Sequence, residues 1–223
     1  MPENKRVMLG WMNNWDYANN IPTNPWRSAM ALPREVKLTQ TPEGPRLTQS
    51  AVKQVDKLAQ EPSYSTPKGI PIEEGTTPLP AAASGQVQRV DITLAPGTAT
   101  KSGITVLGDG TSSTVIGYDA TTGKLFVDRT NSGNTAFHPA FASIEDAPAT
   151  LDKNGNITMQ IYLDRSSVEV FAQDGLRTIT DQVFPNAGAD KMALFAEGGA
   201  AQLRSLTVTP LAKAMFVPEK KQP

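Results

Sequence analysis

Ile157-Thr158-Met159-Gln160-Ile161-Tyr162-Leu163-Asp164-Arg165-Ser166-Ser167-Val168-Glu169-Val170-Phe171 decides the fold class of this chain. Its first seven residues set Ile157, Met159, Ile161 and Leu163 on one face and Thr158, Gln160 and Tyr162 on the other, the two-residue period of a half-buried strand. The same alternation recurs upstream, where Val90, Ile92 and Leu94 oppose Asp91 and Thr93, and downstream, where Leu206 and Val208 oppose Thr207 and Thr209. Between these strands stand Gly108-Asp109-Gly110, Thr121-Thr122-Gly123, Asn131-Ser132-Gly133, Asp152-Lys153-Asn154-Gly155 and Asp174-Gly175. Short alternating segments punctuated this way predict an all-β domain, a two-sheet antiparallel β-sandwich of about ten strands over 86–213.

Outward from that block the character changes. Residues 49–85 read as a linker: Ser50 is placed to cap a short helix over 51–59 with Val52, Val55, Leu58 and Ala59 on one face. Beyond it the chain is rich in proline, with Ile70 and Ile72 as a possible short strand. In residues 1–48, the apolar run 6–11 predicts a strand buried on both faces, and 19–25 predicts a loop from its asparagines and prolines. Ser28 to Leu32 and Glu35 to Thr39 predict two further strands broken at Pro33. A tail, 214–223, is expected to fray.

Composition excludes several classes of function. Among 223 residues the net charge is −1 with acids and bases interspersed, so there is no basic field for nucleic acid and no polybasic run for a membrane surface. The absence of cysteine removes thiolate metal sites, disulfides and a thiol nucleophile. No apolar run is long enough to span a bilayer, and the opening residues lack a signal-peptide core, so the expectation is a chain without signal peptide or membrane partner.

Few residues suggest chemistry. His138, the only histidine, stands beside Pro139 without a second histidine or a cysteine to share a metal, so no metal site is expected. Ser166 and Ser167 lack the glycine elbow of a nucleophilic serine and read as turn residues. Asp91, Glu169 and Asp181 fall at polar strand phases, where solvated side chains are expected. Asp128-Arg129 and Asp164-Arg165 read as structural pairs, as exposed ion pairs or as arginines holding a neighbouring loop; exposed pairs contribute roughly 0–1 kcal/mol. The tryptophans are the exception. All three, Trp11, Trp15 and Trp26, fall within the first 26 residues, interleaved with asparagine, proline and Tyr17. Indoles offer an apolar face and one N–H donor, suited to a sugar ring; they equally suit anchorage of an irregular segment on a core. Asp16 is the only carboxylate in that cluster, and a retaining glycosidase needs two, roughly 5 Å apart.

Met8-Leu9-Gly10-Trp11-Met12-Asn13-Asn14-Trp15-Asp16-Tyr17, with Ile21-Pro22-Thr23, Pro25-Trp26-Arg27-Ser28-Ala29-Met30 and Leu32-Pro33-Arg34-Glu35, closely resembles glycoside hydrolase family 32, in particular its exo-acting levanases and inulinases. Gly117-Tyr118-Asp119, Phe126 to Gly133, Leu163 to Phe171 and Asp181-Gln182-Val183-Phe184-Pro185 are similar to the family's C-terminal module. The resemblance implies a five-bladed β-propeller followed by a β-sandwich, with 1–48 as the partial last blade and 49–85 as the joint. It further implies hydrolysis of β-fructosides with retention, without cofactor, by an aspartate in Trp-Met-Asn-Asp-Pro-Asn-Gly, a glutamate in Glu-Cys and an aspartate in Arg-Asp-Pro. None of those strings occurs here; Asn14 stands where the first would need its aspartate, and an amide cannot serve as the anionic nucleophile.

By this comparison the chain has no catalytic residue of its own. Trp15 matches a tryptophan at the rim of the fructose pocket and is the main substrate-binding candidate; Trp11, which also suits packing between blades, and Trp26, which could do either, are the further candidates. The implied function is that of the C-terminal portion of a fructan β-fructosidase acting on levan, inulin or sucrose, inert without its N-terminal propeller half, covalent or associated, and extracellular in the parent enzyme. The alternative is a non-catalytic fructan-binding or oligomerisation sandwich. A lone blade remnant is expected to expose Val7, Leu9 and Trp11.

Overall fold

The structure is a computed structural model that describes residues 5–42, 44–66 and 69–214, so nearly all of the expected frayed tail lies outside the described residues. At the N-terminus, β1 (Arg6–Met8), β2 (Arg34–Thr41) and β3 (Gly44–Ala51) form an antiparallel sheet in that order. β3 has no counterpart among the strands that the sequence pattern predicts. It pairs with β2 along its whole length, from Arg34 opposite Ala51 to Thr41 opposite Gly44, and so consumes the residues expected to start a helix. The next element is a 3-10 turn, Lys53–Leu58, entered through an extended Val52 without a side-chain cap, in place of the helix expected over 51–59.

Two more expectations fail near the N-terminus. The strand over 28–32 shrinks to a bridge between Trp11 and Met30, because Pro25 and Pro33 flank it and cannot donate to a ladder. β1, whose apolar run reads as buried on both faces, is an edge strand with Val7 and Met8 exposed; with Leu9 and Trp11 just beyond it also exposed, this is the outcome expected for a blade remnant on its own. An apolar run shows that a segment needs cover; it does not show that the cover lies in the same 223 residues.

The sandwich takes its outermost strands from the proline-rich segment. β4 (Tyr64–Ser65) and β5 (Ile70–Ile72) join one sheet and β6 (Gly75–Pro78) the other, before β7 (Val87–Ala95) begins the main meander. The later strands are β8 (Lys101–Gly108), β9 (Thr114–Asp119), β10 (Lys124–Asp128), β11 (Ile144–Pro148), β12 (Ile157–Asp164), β13 (Ser167–Ala172), β14 (Arg177–Gln182), β15 (Lys191–Glu197) and β16 (Ala201–Pro210). One sheet runs β11-β10-β9-β8-β15-β6, and the other β14-β13-β12-β7-β16-β4, with β5 also on β16. The alternating strands keep their phase: Val90, Ile92, Leu94, Ile157, Met159, Ile161, Leu163, Leu206 and Val208 all lie in the core between the sheets. Each such side chain contributes about 1.5–3 kcal/mol by leaving water.

Gly103 and Gly117 face each other across β8 and β9. A Cβ at Gly103 would stand 2.1 Å from the Ile116 carbonyl oxygen, and one at Gly117 would meet the rings of Phe126 and Phe195, so this crossing admits no side chain.

The outer face of β12 and β13 departs most from a half-buried strand. Tyr162 and Phe171 pack edge-to-face there, beneath Val55 of the 3-10 turn, with Leu32 and Ala51 at their margin. The face expected to meet water is thus roofed by the N-terminal segment.

Candidate functional site

The tryptophan-bearing segment is built from local backbone bonds. Met12 N–H donates to Ala29 O at 3.0 Å and Ala31 N–H to Gly10 O at 2.9 Å, either side of the bridge that fixes Trp11. Asn14 then starts a turn: its carbonyl accepts Ala18 N–H at 2.8 Å and its side-chain oxygen accepts Asp16 N–H at 2.9 Å. Trp15, at the tip of that turn, is 86% exposed. Its ring contact is with Trp11, centroids 4.9 Å apart and planes at 52°, and the Trp11 indole N–H in turn bonds the Ser28 hydroxyl. Trp26 is half exposed on a separate loop, where Thr23 Oγ1 donates to the Trp26 carbonyl at 2.6 Å. The three candidate sugar-binding indoles are therefore a pair, Trp11 and Trp15, and an outlier.

Tyr17, unlike Trp15, is buried, in an aromatic cluster with Ile21, Phe137, Phe141 and Phe184. The His138 ring lies 6.2 Å from Tyr17 and its Nδ1 accepts Ala140 N–H at 3.2 Å, a loop histidine. Arg129 reaches the same cluster from the end of β10. The sequence reads it as a structural arginine that either pairs on the surface or holds a neighbouring loop; it is 4% exposed, and what it holds is the N-terminal segment. Its Nη2 donates to the Tyr17 hydroxyl at 3.2 Å, its Nη1 to Gln182 O at 3.2 Å, its Nε to Ser143 Oγ at 3.1 Å, and its guanidinium lies 4.6 Å from the Phe141 ring centre. Asp128, by contrast, turns away to accept the backbone N–H of Thr130.

Glu169 and Asp181 also correct the sequence reading, since both are buried where solvated side chains are expected. Glu169 is ion-paired to Arg34 of β2 at 2.6 Å and accepts Leu32 N–H at 2.7 Å, while Arg34 also bonds Gln49 and Thr180. The pair ties the N-terminal sheet to the outer face of the sandwich. Asp181 lies 3.5 Å from Arg129, which is 3.6 Å from Glu145. Burial pushes the Asp181 carboxyl up to about 6, against the pull of Arg129 and with a further push from Glu145. Asp91 behaves as expected, partly exposed and paired with Arg89.

A cleft of about 470 Å³ opens between the two parts, with Trp11, Asn13, Arg129, Glu145 and Asp181 among its walls. Two of its carboxylates, Glu145 and Asp181, engage the one guanidinium of Arg129. Among the described residues no group of three or more His, Asp or Glu is placed to hold a metal ion, and no helix is long and apolar enough to cross a membrane.

Signals for the missed residues existed. Arg129 continues the odd-numbered phase of Leu125 and Val127, both fully buried. Glu169 shares the outer face of its strand with Phe171, an aromatic out of place on a wet surface.

Comparison with known proteins identifies this architecture. The model of the glycosyl hydrolases family 32 C-terminal domain matches residues 54–210, and that of the family 32 N-terminal domain matches residues 1–51. The chain belongs to glycosyl hydrolase family 32. It is similar to the levanase of Bacillus subtilis (strain 168), 38% identical over 95% of this chain and 31% of that protein. The levanase of Bacillus sp. (strain L7) is 36% identical over 100% of this chain and 24% of that protein. The extracellular exo-inulinase of Aspergillus awamori is 37% identical over 89% and 37% respectively. A crystal structure of exo-inulinase from Aspergillus awamori superposes with a TM-score of 0.89 at 34% identity, covering 96% of this chain and 42% of that one. This family 32 chain thus spans about a quarter to somewhat over a third of the length of the curated relatives it matches.

Proposed function

We propose that this chain is the C-terminal portion of a fructan β-fructosidase that removes terminal fructosyl units from levan, inulin or sucrose with retention, and that by itself it is inert. In this reading the sheet of β1, β2 and β3 ends the last propeller blade, the 3-10 turn Lys53–Leu58 joins it to the sandwich, which takes its edge strands from the stretch expected to be linker, and the remaining blade strands cover β1. The parent enzyme acts outside the cell, as the relatives named extracellular do.

One observation carries the assignment of the site: an indole 86% exposed, backed by a second indole, at the tip of a turn whose other side is locked into the protein. Burial of an aromatic is the usual economy of a fold, so an indole held out into solvent on a braced turn fits a surface made to receive a sugar ring. The disposition of the carboxylates supports inertness. Retention needs one ionised nucleophile and one proton donor facing a bound glycoside across roughly 5 Å. Asp16 stands alone beside the indoles, and Glu145 and Asp181 are both committed to Arg129.

The test is fructose release from levan, inulin and sucrose by the pure chain, then with an added N-terminal half. The expected result is no turnover alone and turnover on complementation that Trp15→Ala abolishes or weakens strongly. Turnover by the pure chain, lost in Asp181→Asn, would overturn the reading and locate the acids in the cleft.

A further inference from the structure

We propose that Arg129, a residue of the sandwich, is a positioning residue for the Trp15 indole and acts through Tyr17. The sugar-facing role of Trp15 rests on the function proposed above; the mechanical link does not.

Trp15 has little of its own to hold it. Its ring contact is with Trp11, and the rest of the side chain stands in solvent. Its place is set by the backbone turn that Asn14 opens, and that turn is fastened two residues later by Tyr17, which is 3% exposed. A buried phenol must find a hydrogen-bond partner, and the Tyr17 hydroxyl finds the Arg129 Nη2. Arg129 is itself over-determined. Its planar fork spans Tyr17, Gln182 and Ser143 while facing Asp181 and Glu145, so it cannot move without breaking several bonds at once. Rigidity therefore passes from β10 and β14 through one guanidinium and one phenol to the turn carrying the indole. This gives the sandwich a role in the sugar site although none of its own side chains needs to touch substrate.

Two variants separate this from plain stabilisation. Tyr17→Phe removes the hydroxyl and keeps the ring in its aromatic cluster. Arg129→Lys keeps the charge facing Asp181 and Glu145 but cannot span Tyr17 and Gln182 together. In the chain labelled at its indoles, with signals assigned through Trp15→Phe and Trp11→Phe, both variants are expected to shift or broaden the Trp15 N–H resonance while far-UV circular dichroism stays the same. A Trp15 resonance unmoved in both, whatever happens to the melting temperature, would overturn the proposal.

In the complete enzyme, Tyr17→Phe is expected to raise KM about two- to tenfold with kcat little changed, the scale of one hydrogen bond. In a Trp15→Ala background it should raise KM no further. An equal rise in that background would show that Tyr17 acts by another route and would sink the proposal. Should complementation give no enzyme at all, the functional reading falls, and the indole resonances still decide the mechanical link.

Discussion

Replacing Glu169 with leucine tests how firmly the two parts of this chain are joined. The Arg34–Glu169 pair is buried on both sides, at 2.6 Å, and Glu169 also accepts the Leu32 N–H. In Glu169→Leu the Arg34 guanidinium keeps Gln49 and Thr180 but loses its counter-charge, and a backbone donor loses its acceptor. Stranding a buried charge in this way costs about 3–5 kcal/mol, whereas the intact pair contributes little relative to well-packed apolar residues. For a chain of this size each kcal/mol moves the melting temperature by about 2–4 °C, so Glu169→Leu is expected to melt about 6–20 °C lower. The double variant Arg34→Met with Glu169→Leu removes both charges and should recover a large part of that loss, because Phe171, Leu32 and Ala51 already offer apolar neighbours. Calorimetry and denaturant titration of the four proteins of the cycle give the coupling directly. A single variant within about 1 kcal/mol of the parent, or a double variant worse than the two singles summed, would refute the view that this seam is dry and held by a buried pair.

The same contacts set further outcomes. Asp181 titrates near 6 when folded and near the ordinary carboxylate value of about 3.9 when unfolded, so the folded state holds the extra proton in that window. Stability should therefore fall by about 3 kcal/mol as pH rises from about 4 to 6, and Asp181→Asn should flatten that slope in melts taken across the range; an unchanged slope would assign it elsewhere. The turn carboxylates of Asp109, Asp119 and Asp152, held below the usual range by neighbouring donors (Asn186, Thr121 and Asn156 foremost), act in the opposite sense and at lower pH, their contribution being lost as pH falls below about 4. Gly175→Ala should destabilise the chain by more than about 1 kcal/mol, since φ is +78° and a Cβ would meet the Gln49 carbonyl oxygen at 1.8 Å; a neutral result in thermal melts would show that β3 does not press on the 172–177 turn.

Much of the fold is legible in the sequence because the sandwich strands obey a simple rule. Where one face meets the opposite sheet and the other meets water, period-two alternation records the geometry, as in β7, β12 and β16. The same rule misleads wherever a third layer intervenes. Phase assigns Glu169, Asp181 and Tyr162 to water, but Leu32 and Arg34 cover Glu169, the 3-10 turn covers Tyr162, and Asp181 lies buried against Arg129. β3 leaves no such mark because Gly44 to Ala51 carries scarcely any apolar alternation; its ladder depends on the partner β2. The tryptophan pair is legible from composition, while its brace is not, since Arg129 and Tyr17 are 112 residues apart.

Sequence by itself determined the elements whose cause is local: alternating strands, turns at Asp-Gly and Asn-Gly dipeptides, and an indole-rich segment broken by proline, together with the motifs that mark the family. Tertiary structure alone decided which polar residues are buried, that Arg34 meets Glu169, and that one arginine of the sandwich braces the turn beneath Trp15. Local backbone preference and hydrophobic period act over a few residues and are written in order along the chain. Desolvation and ion pairing depend on what lies across a gap, and only the folded chain brings those partners together.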